Sequence, residues 1–459
     1  MEHKNAWLKY DGAQLDSLMD YCDGYKKYIS VCKTERECVA ETIRQAEEKG
    51  YRDLKRIIME NGTVKAGDKV YYNNMDKALV LFLVGSEPLE KGMKILGAHI
   101  DAPRIDIKQN PLYEDTELAL LDTHYYGAIK KYQWVALPLA IHGVVVKKDG
   151  TRIEIVIGED PGDPVIGITD LLIHLSAKQL EKKGSLVVEG EDLDILCGSI
   201  PLKGEEKDAV KANVKKLLAE EYGMGEEDFV SAELEIVPAG AARDYGIDRS
   251  MIMGYGHDDR VCAYTSYTAL FEMEEADRTC VCLLVDKEEI GTAGATSMQS
   301  RFFENAVAEL MNCMGDYSEL KVRRALENSK MLSSDVSAAF DPLYPSVNEK
   351  KNTSYIAKGL TFNKYTGANG KVSSNDANPE FMAELRAIME KHDIAWQTAE
   401  LGKVDEGGGG TIAKFMAVYN MQVIDSGVPV LSMHAPWELV CKVDVYEAWK
   451  GYLAFLKEA

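Results

Sequence analysis

The chain has 459 residues, 46% of them hydrophobic and 28% charged, which allows two or three domains with ample cores. A formal net charge of −22 argues against nucleic acid and anionic membrane surfaces as partners. Nine cysteines at scattered spacing, without a CxxC pair, argue for reduced thiols in a cytosol and against a disulfide framework. Residues 1–11 are polar, without the apolar stretch of a signal peptide, and no apolar run reaches eighteen residues. The expectation is a cytoplasmic protein that spans no membrane.

Residues 5–50 carry helical periodicity, and 30–50 reads as one helix closed by Gly50. Strand-like runs follow at 69–72 and 78–85, with a turn expected at Asn73-Asn74. Residues 95–98 form a short apolar strand that delivers His99 and Asp101 to its end, where Pro103 stops the ladder. The two stand on one face of a strand, and a metal-binding His needs a carboxylate to orient it.

Residues 105–238 differ in texture. Runs at 136–146, Arg152–Ile157, 185–189 and Ala232–Pro238 read as strands, and 170–183 and 205–222 as helices. This is the pattern of an inserted β-rich domain.

Alternation of strands and helices returns after residue 241. The element Gly256-His257-Asp258-Asp259-Arg260 precedes a helix at 261–273. Cys280–Val285 is a buried strand, with Cys280 and Cys282 on one core face. It runs straight into Asp286-Lys287-Glu288-Glu289. Adjacent carboxylates at the mouth of a buried strand repel and are costly to desolvate, so a cation is expected there. Helices follow at 300–314 and 318–329. The strand Lys330–Ser334 ends at Asp335, 352–361 is β-like, 379–392 is a helix and 395–398 a strand. Four glycines at 407–410 open a helix at 411–419. Strands at 421–427 and 429–433 lead to His434, and a helix at 443–457 closes the chain.

His99 with Asp101, Asp258-Asp259, Glu288-Glu289, Asp335 and His434 thus fall at strand ends or in the loops after them. Open α/β sheets place ligands there. Two histidines with several carboxylates suit zinc, manganese or cobalt. The carboxylates exceed what one tetrahedral zinc uses, and a two-metal site with a bridging carboxylate accounts for them better. Of the other histidines, His142 reads as a core residue and His174, beside Leu171, Leu172 and Leu175, as interface packing. His124 and His257 stand near enough to Tyr or Asp to reach the site, and His3 and His392 read as surface residues. Trp134 and Tyr132 are candidate interface anchors.

Five ordered motifs resemble the aspartyl aminopeptidase and aminopeptidase I family of dinuclear-metal exopeptidases. They are GAHIDAP at 97–103, HDDR at 257–260, DKEEIG at 286–291, SSDVSAAFDPLYP at 333–345 and SMHAPWE at 432–438. Residues 121–143 resemble the start of the inserted domain in bacterial members, so the likeness covers nearly the whole chain.

The resemblance implies an α/β fold: a mixed-sheet α/β/α metallopeptidase domain built from 1–104 and 241–459, with a β-rich dimerisation domain at 105–240. It implies two divalent metal ions per subunit, zinc foremost, held by His99, Asp258 as the bridge, Glu289, Asp335 and His434. Asp101 would orient His99, and Glu288 would be the general base. In related enzymes the peptide bond after the bridging Asp is often cis. Lys364 in Phe362-Asn363-Lys364-Tyr365, with Gly408 and Gly409, would face substrate. The implied partners are short peptides and further copies of the chain, in a tetrahedral dodecamer.

Eukaryotic aspartyl members carry a HPNY-like element where this chain has Asp341-Pro342-Leu343-Tyr344, and a His aligned with Asp170. The resemblance therefore implies an aminopeptidase without fixing an acidic preference. A deacylase or carboxypeptidase of the same chemistry, or a non-catalytic scaffold, are the alternatives.

Overall fold

The computed structural model describes residues 4–459, and His3 lies outside them. The chain divides into two compact units. Among the described residues one comprises 4–101, 242–433 and 438–459, and the other comprises 102–241 and 434–437.

The first unit is built on a nine-stranded mixed sheet. Its order is Arg52–Asp53, Lys69–Asn74, Ala78–Leu83, Cys280–Val285, Lys94–His99, Lys330–Ser334, Gln422–Gly427, Leu360–Asn363 and Trp396–Thr398. Four central strands run parallel, with Val285 opposite His99, Ser333 opposite Gly97 and Ser334 opposite Ser426. All four therefore end on the same side. Buried on both faces, they are largely apolar, as parallel strands between helical layers are, with Lys94, Ser333, Ser334, Asp425 and Ser426 among the buried exceptions. Cys280, Cys282 and Leu284 enter one core with the helices His257–Phe271 and Lys442–Glu458. Val281, Leu283 and Val285 enter the other with Phe302–Cys313. Period-two alternation thus feeds both helical layers, and the architecture is α/β/α.

Thr34 divides the expected helix at 30–50. The chain forms Gly12–Val31 and Glu35–Glu48, and the second helix starts in a capping box in which Thr34 and Glu37 satisfy each other's backbone N–H. The expected turn at Asn73-Asn74 lies at Met75 and Asp76, both at positive φ, while the two asparagines finish the strand. The β-like run at 352–361 reduces to Leu360–Asn363.

The second unit carries a six-stranded antiparallel sheet ordered Arg152–Ile157, Leu139–Val146, Ala232–Pro238, Arg104–Asp115, Leu118–Tyr126 and Ile195–Gly198. The long hairpin Arg104–Tyr126 has no counterpart in the sequence reading. Its first strand contains Pro111, and the register shifts between Ile107 and Leu112 around it. The expected helix at 170–183 shrinks to single turns at Ile173–Leu175 and Ala177–Leu180, whose apolar side chains are exposed. The expected strand at 185–189 is a 3-10 turn, Gly184–Leu186. Trp134 is fully buried and cannot anchor an interface, whereas Tyr132 is exposed.

Candidate metal centre

His99 ends its strand buried, one residue beyond Ala98. Its Nδ1 lies 3.0 Å from the Asp101 carbonyl, which can only accept, so Nδ1 carries the proton. Its Nε2 lies 3.1 Å from an Asp258 carboxylate oxygen. Burial alone would lower the His99 pKa, but hydrogen bonds to Asp101 and Asp258 outweigh it and hold the pKa well above the ordinary imidazole value.

The Glu pair is set by Asp101. One Asp101 oxygen accepts the Glu288 N–H and the other the Glu289 N–H, each at 3.1 Å. These residues form a short turn, Glu288–Ile290, bracketed by Lys287 and Gly291 at positive φ. The pair sits on a 3-10 turn beyond the strand, so strand alternation does not divide its roles. Asp101 thus does more than orient His99: its backbone engages the imidazole while its carboxylate caps the turn that carries both glutamates.

Asp258 and Asp259 follow Gly256 at the start of the His257–Phe271 helix, and their peptide bond is cis. The Asp258 N–H donates to Glu438 across 3.0 Å, and Glu438 is buried. Asp335 follows the Lys330–Ser334 strand, its N–H donating to the Ser426 carbonyl. Burial, with the charges of Asp258 and Glu288, pushes its carboxyl well above the carboxylate range, against the pull of His99. Burial and the charge of Asp335 do the same to Asp259.

Within the first unit, two sets of donor atoms converge within 4.8 Å: His99 with Glu288 and Glu289, and His99 with Asp258 and Asp335. Carboxylates crowded enough to raise one another's pKa, around a His whose Nε2 faces an anion, form a donor set that a divalent cation would satisfy. The residues fit the metal.

His434 belongs to the segment grouped with the second unit. Its Nδ1 donates to the Ala128 carbonyl at 2.9 Å, the second-sphere arrangement that leaves Nε2 with the lone pair. Lys364 is paired with Asp376. Gly408 has a positive φ, and a Cβ there would fall 2.5 Å from Ala368 Cα, so this glycine permits close packing of two loops, while Gly409 has open space.

The remaining histidines take the plainer roles. His257 is locked between the Tyr25 hydroxyl at 2.6 Å and the Ile252 carbonyl, and burial lowers its pKa to about 3, so it is a core residue and not a ligand. His142 pairs with Glu159, His392 with Glu458, and His124 binds the Tyr125 carbonyl.

Sequence reasoning passed over two supports. Glu438 stood in the SMHAPWE motif without an assigned task. Buried Arg260 donates to the Ile100 carbonyl, between His99 and Asp101, and to the Lys33 carbonyl. Only the folded chain reveals such long-range partners.

An α/β/α fold with acidic and His side chains gathered at the ends of parallel strands defines a metal-dependent hydrolase. The aminopeptidase I zinc metalloprotease (M18) family model matches residues 28–456. The chain is 65% identical over 456 residues to a probable M18 family aminopeptidase 1 of Clostridium acetobutylicum, covering 99% of this chain and 98% of that relative. The crystal structure of an M18 aminopeptidase from Thermotoga maritima superposes with a TM-score of 0.95 at 43% identity, over 100% of both chains. That of aminopeptidase I from C. acetobutylicum gives 0.93 at 62%, over 100% of this chain and 99% of that one. The protein belongs to the M18 family of zinc metalloproteases and is an aminopeptidase.

Proposed function

We propose that the protein removes the N-terminal residue from short, unblocked peptides at a centre of two divalent ions, with Glu288 as general base. The observation that carries this reading is the double hydrogen bond from Asp101 to the Glu288 and Glu289 N–H groups. It fixes both glutamates beside His99, so one can serve a metal while the other serves the reaction.

In this reading His99, Asp258, Glu289, Asp335 and His434 would hold the ions, with zinc ahead of cobalt or manganese. Bound zinc would supply a water acidic enough to ionise near neutral pH and a Lewis acid for the scissile carbonyl. Glu288 accepts the proton of that water and returns it to the leaving amine. Asp101 keeps the glutamate turn from moving, so the base stays in reach of both atoms. Lys364 and the backbone at Gly408 and Gly409 form the substrate side.

The unit at 102–241 is read as the dimerisation element, supported by exposed Leu171, Leu172, Ile173 and Leu175. A tetrahedral dodecamer is the proposed assembly. The fold relative solved as a yeast dodecamer, 19% identical with a TM-score of 0.76 over 96% of this chain and 97% of that one, supports this at the level of fold. The nine thiols, all free, suit a cytoplasmic site of action.

The test is hydrolysis of one peptide series with free and acetylated N-termini, with zinc, cobalt or manganese added to stripped protein. Release of the first residue from free peptides alone is expected. Equal cleavage of acetylated peptides would favour a deacylase or endopeptidase.

A further inference from the structure

At the outer edge of the nine-stranded sheet, the strand Trp396–Thr398 borders a cavity of about 660 Å³. The volume is in the range of small-molecule sites. Four cationic side chains line it, Lys350, Lys351, Lys358 and Arg386, and no described acidic residue does. In a chain with 75 acidic and 53 basic side chains this is a reversal of sign. Arg386 also lies 3.8 Å from Glu390 on its own helix, and Lys350 Nζ lies 5.7 Å from the centre of the Phe340 ring.

The wall is aromatic. Trp396 and Tyr355 line the same cavity. Trp396 packs edge-on against Phe362 at 6.0 Å and Tyr355 lies 5.4 Å from Phe340, so each ring is braced by an aromatic neighbour. The backbone of Tyr355 is fixed as well. Its N–H donates to the Gln397 amide oxygen at 2.9 Å, and its carbonyl accepts from the Gln397 amide nitrogen at 2.8 Å. The floor is therefore held in place before anything binds.

We propose that this cavity is a binding site for a nucleotide, a small organic phosphate carrying a planar ring. Lysines and an arginine around a pocket without carboxylates attract several negative charges. Braced rings offer a face on which a base can stack. A simple anion would use the charges and leave the rings idle, and an apolar ligand would do the reverse.

The experiment is calorimetric titration of the zinc-loaded, full-length protein with ADP, adenosine and pyrophosphate. Saturable binding of one ADP per chain is expected, with adenosine and pyrophosphate each weaker. Lys351→Glu and Arg386→Ala, both on exposed residues, should each weaken ADP by about tenfold or more. Trp396→Leu should weaken it by about fivefold or more while sparing pyrophosphate.

Three results would overturn the proposal. One is the absence of saturable ADP binding. Another is ADP binding unchanged in both charge variants, which would assign the phosphate to the zinc centre. The third is loss of assembly in Lys351→Glu without any ADP binding to the parent, which would assign the pocket to an acidic segment of another chain.

Discussion

The two large sheets spend their polar side chains differently. In the nine-stranded sheet the middles of Lys94–His99 and Cys280–Val285 are apolar, and the groups suited to a metal stand at or just beyond strand ends: His99, Glu288 and Asp335. In the six-stranded sheet charged groups within the strands are paired with neighbours. Arg104 pairs with Asp106 and Glu235, and His142 with Glu159. A parallel sheet covered on both faces gathers most of its charge at its rim, where crowded carboxylates can take a metal. An antiparallel sheet can satisfy its charges between neighbouring strands and keeps none for chemistry.

This contrast can be broken most severely at the rim. Asp258→Asn is expected to strip the protein of metal and reduce peptide hydrolysis to background, read by metal analysis and steady-state rates. Glu235→Gln in the other sheet should leave hydrolysis by each chain unchanged. Asp101→Asn should lower activity or zinc affinity by about 10- to 100-fold, the usual effect of a lost second-sphere partner. The carboxylate uses a separate oxygen for each N–H, and an amide offers only one acceptor oxygen.

A sharper form of the comparison is a sign reversal. Asp335 is crowded by Asp258 and Glu288 in the absence of cation. Asp335→Asn should therefore raise the thermal midpoint of zinc-stripped protein and lower that of zinc-loaded protein. The same direction in both states would contradict the view that these carboxylates are held against their own repulsion.

A milder effect concerns Asp444, a buried carboxylate that accepts the Ala357 and Gly359 N–H groups, each at 2.7 Å. Burial outweighs these donors and pushes its pKa from 3.8 up to about 8. Across that window the native state holds a proton that the unfolded chain has released, so this group's contribution to stability falls as pH rises. Asp444→Asn does not titrate and should reduce the drop in urea midpoint between pH 5 and pH 8.

The rim was legible in part because two of its groups follow a short apolar run: residues 95–98 before His99 and Cys280–Val285 before the Glu pair. Such runs are buried strands wherever they occur, and strand ends in an α/β sheet share a side. The inserted unit was less legible for physical reasons. Leu171, Leu172 and Leu175 suggest the buried stripe of a long helix, but they are exposed on broken turns, so burial did not choose the conformation. Pro111 obscured a strand that accommodates it at an irregularity. The helix break at Thr34 was written in its capping box and needed only the Thr34–Glu37 spacing to be noticed. Glu438 and Arg260 act across 180 and 160 residues of chain, which no local pattern encodes.

The central claim is that the Asp101-capped turn divides its two glutamates, Glu289 holding metal and Glu288 moving a proton. Glu288→Gln tests it most directly, with zinc per chain and turnover of an unblocked peptide measured on the same preparation. The account predicts two zinc ions per chain, as in the parent, with turnover reduced by about 10²- to 10⁴-fold. Turnover equal to the parent, or loss of zinc in step with turnover, would contradict it.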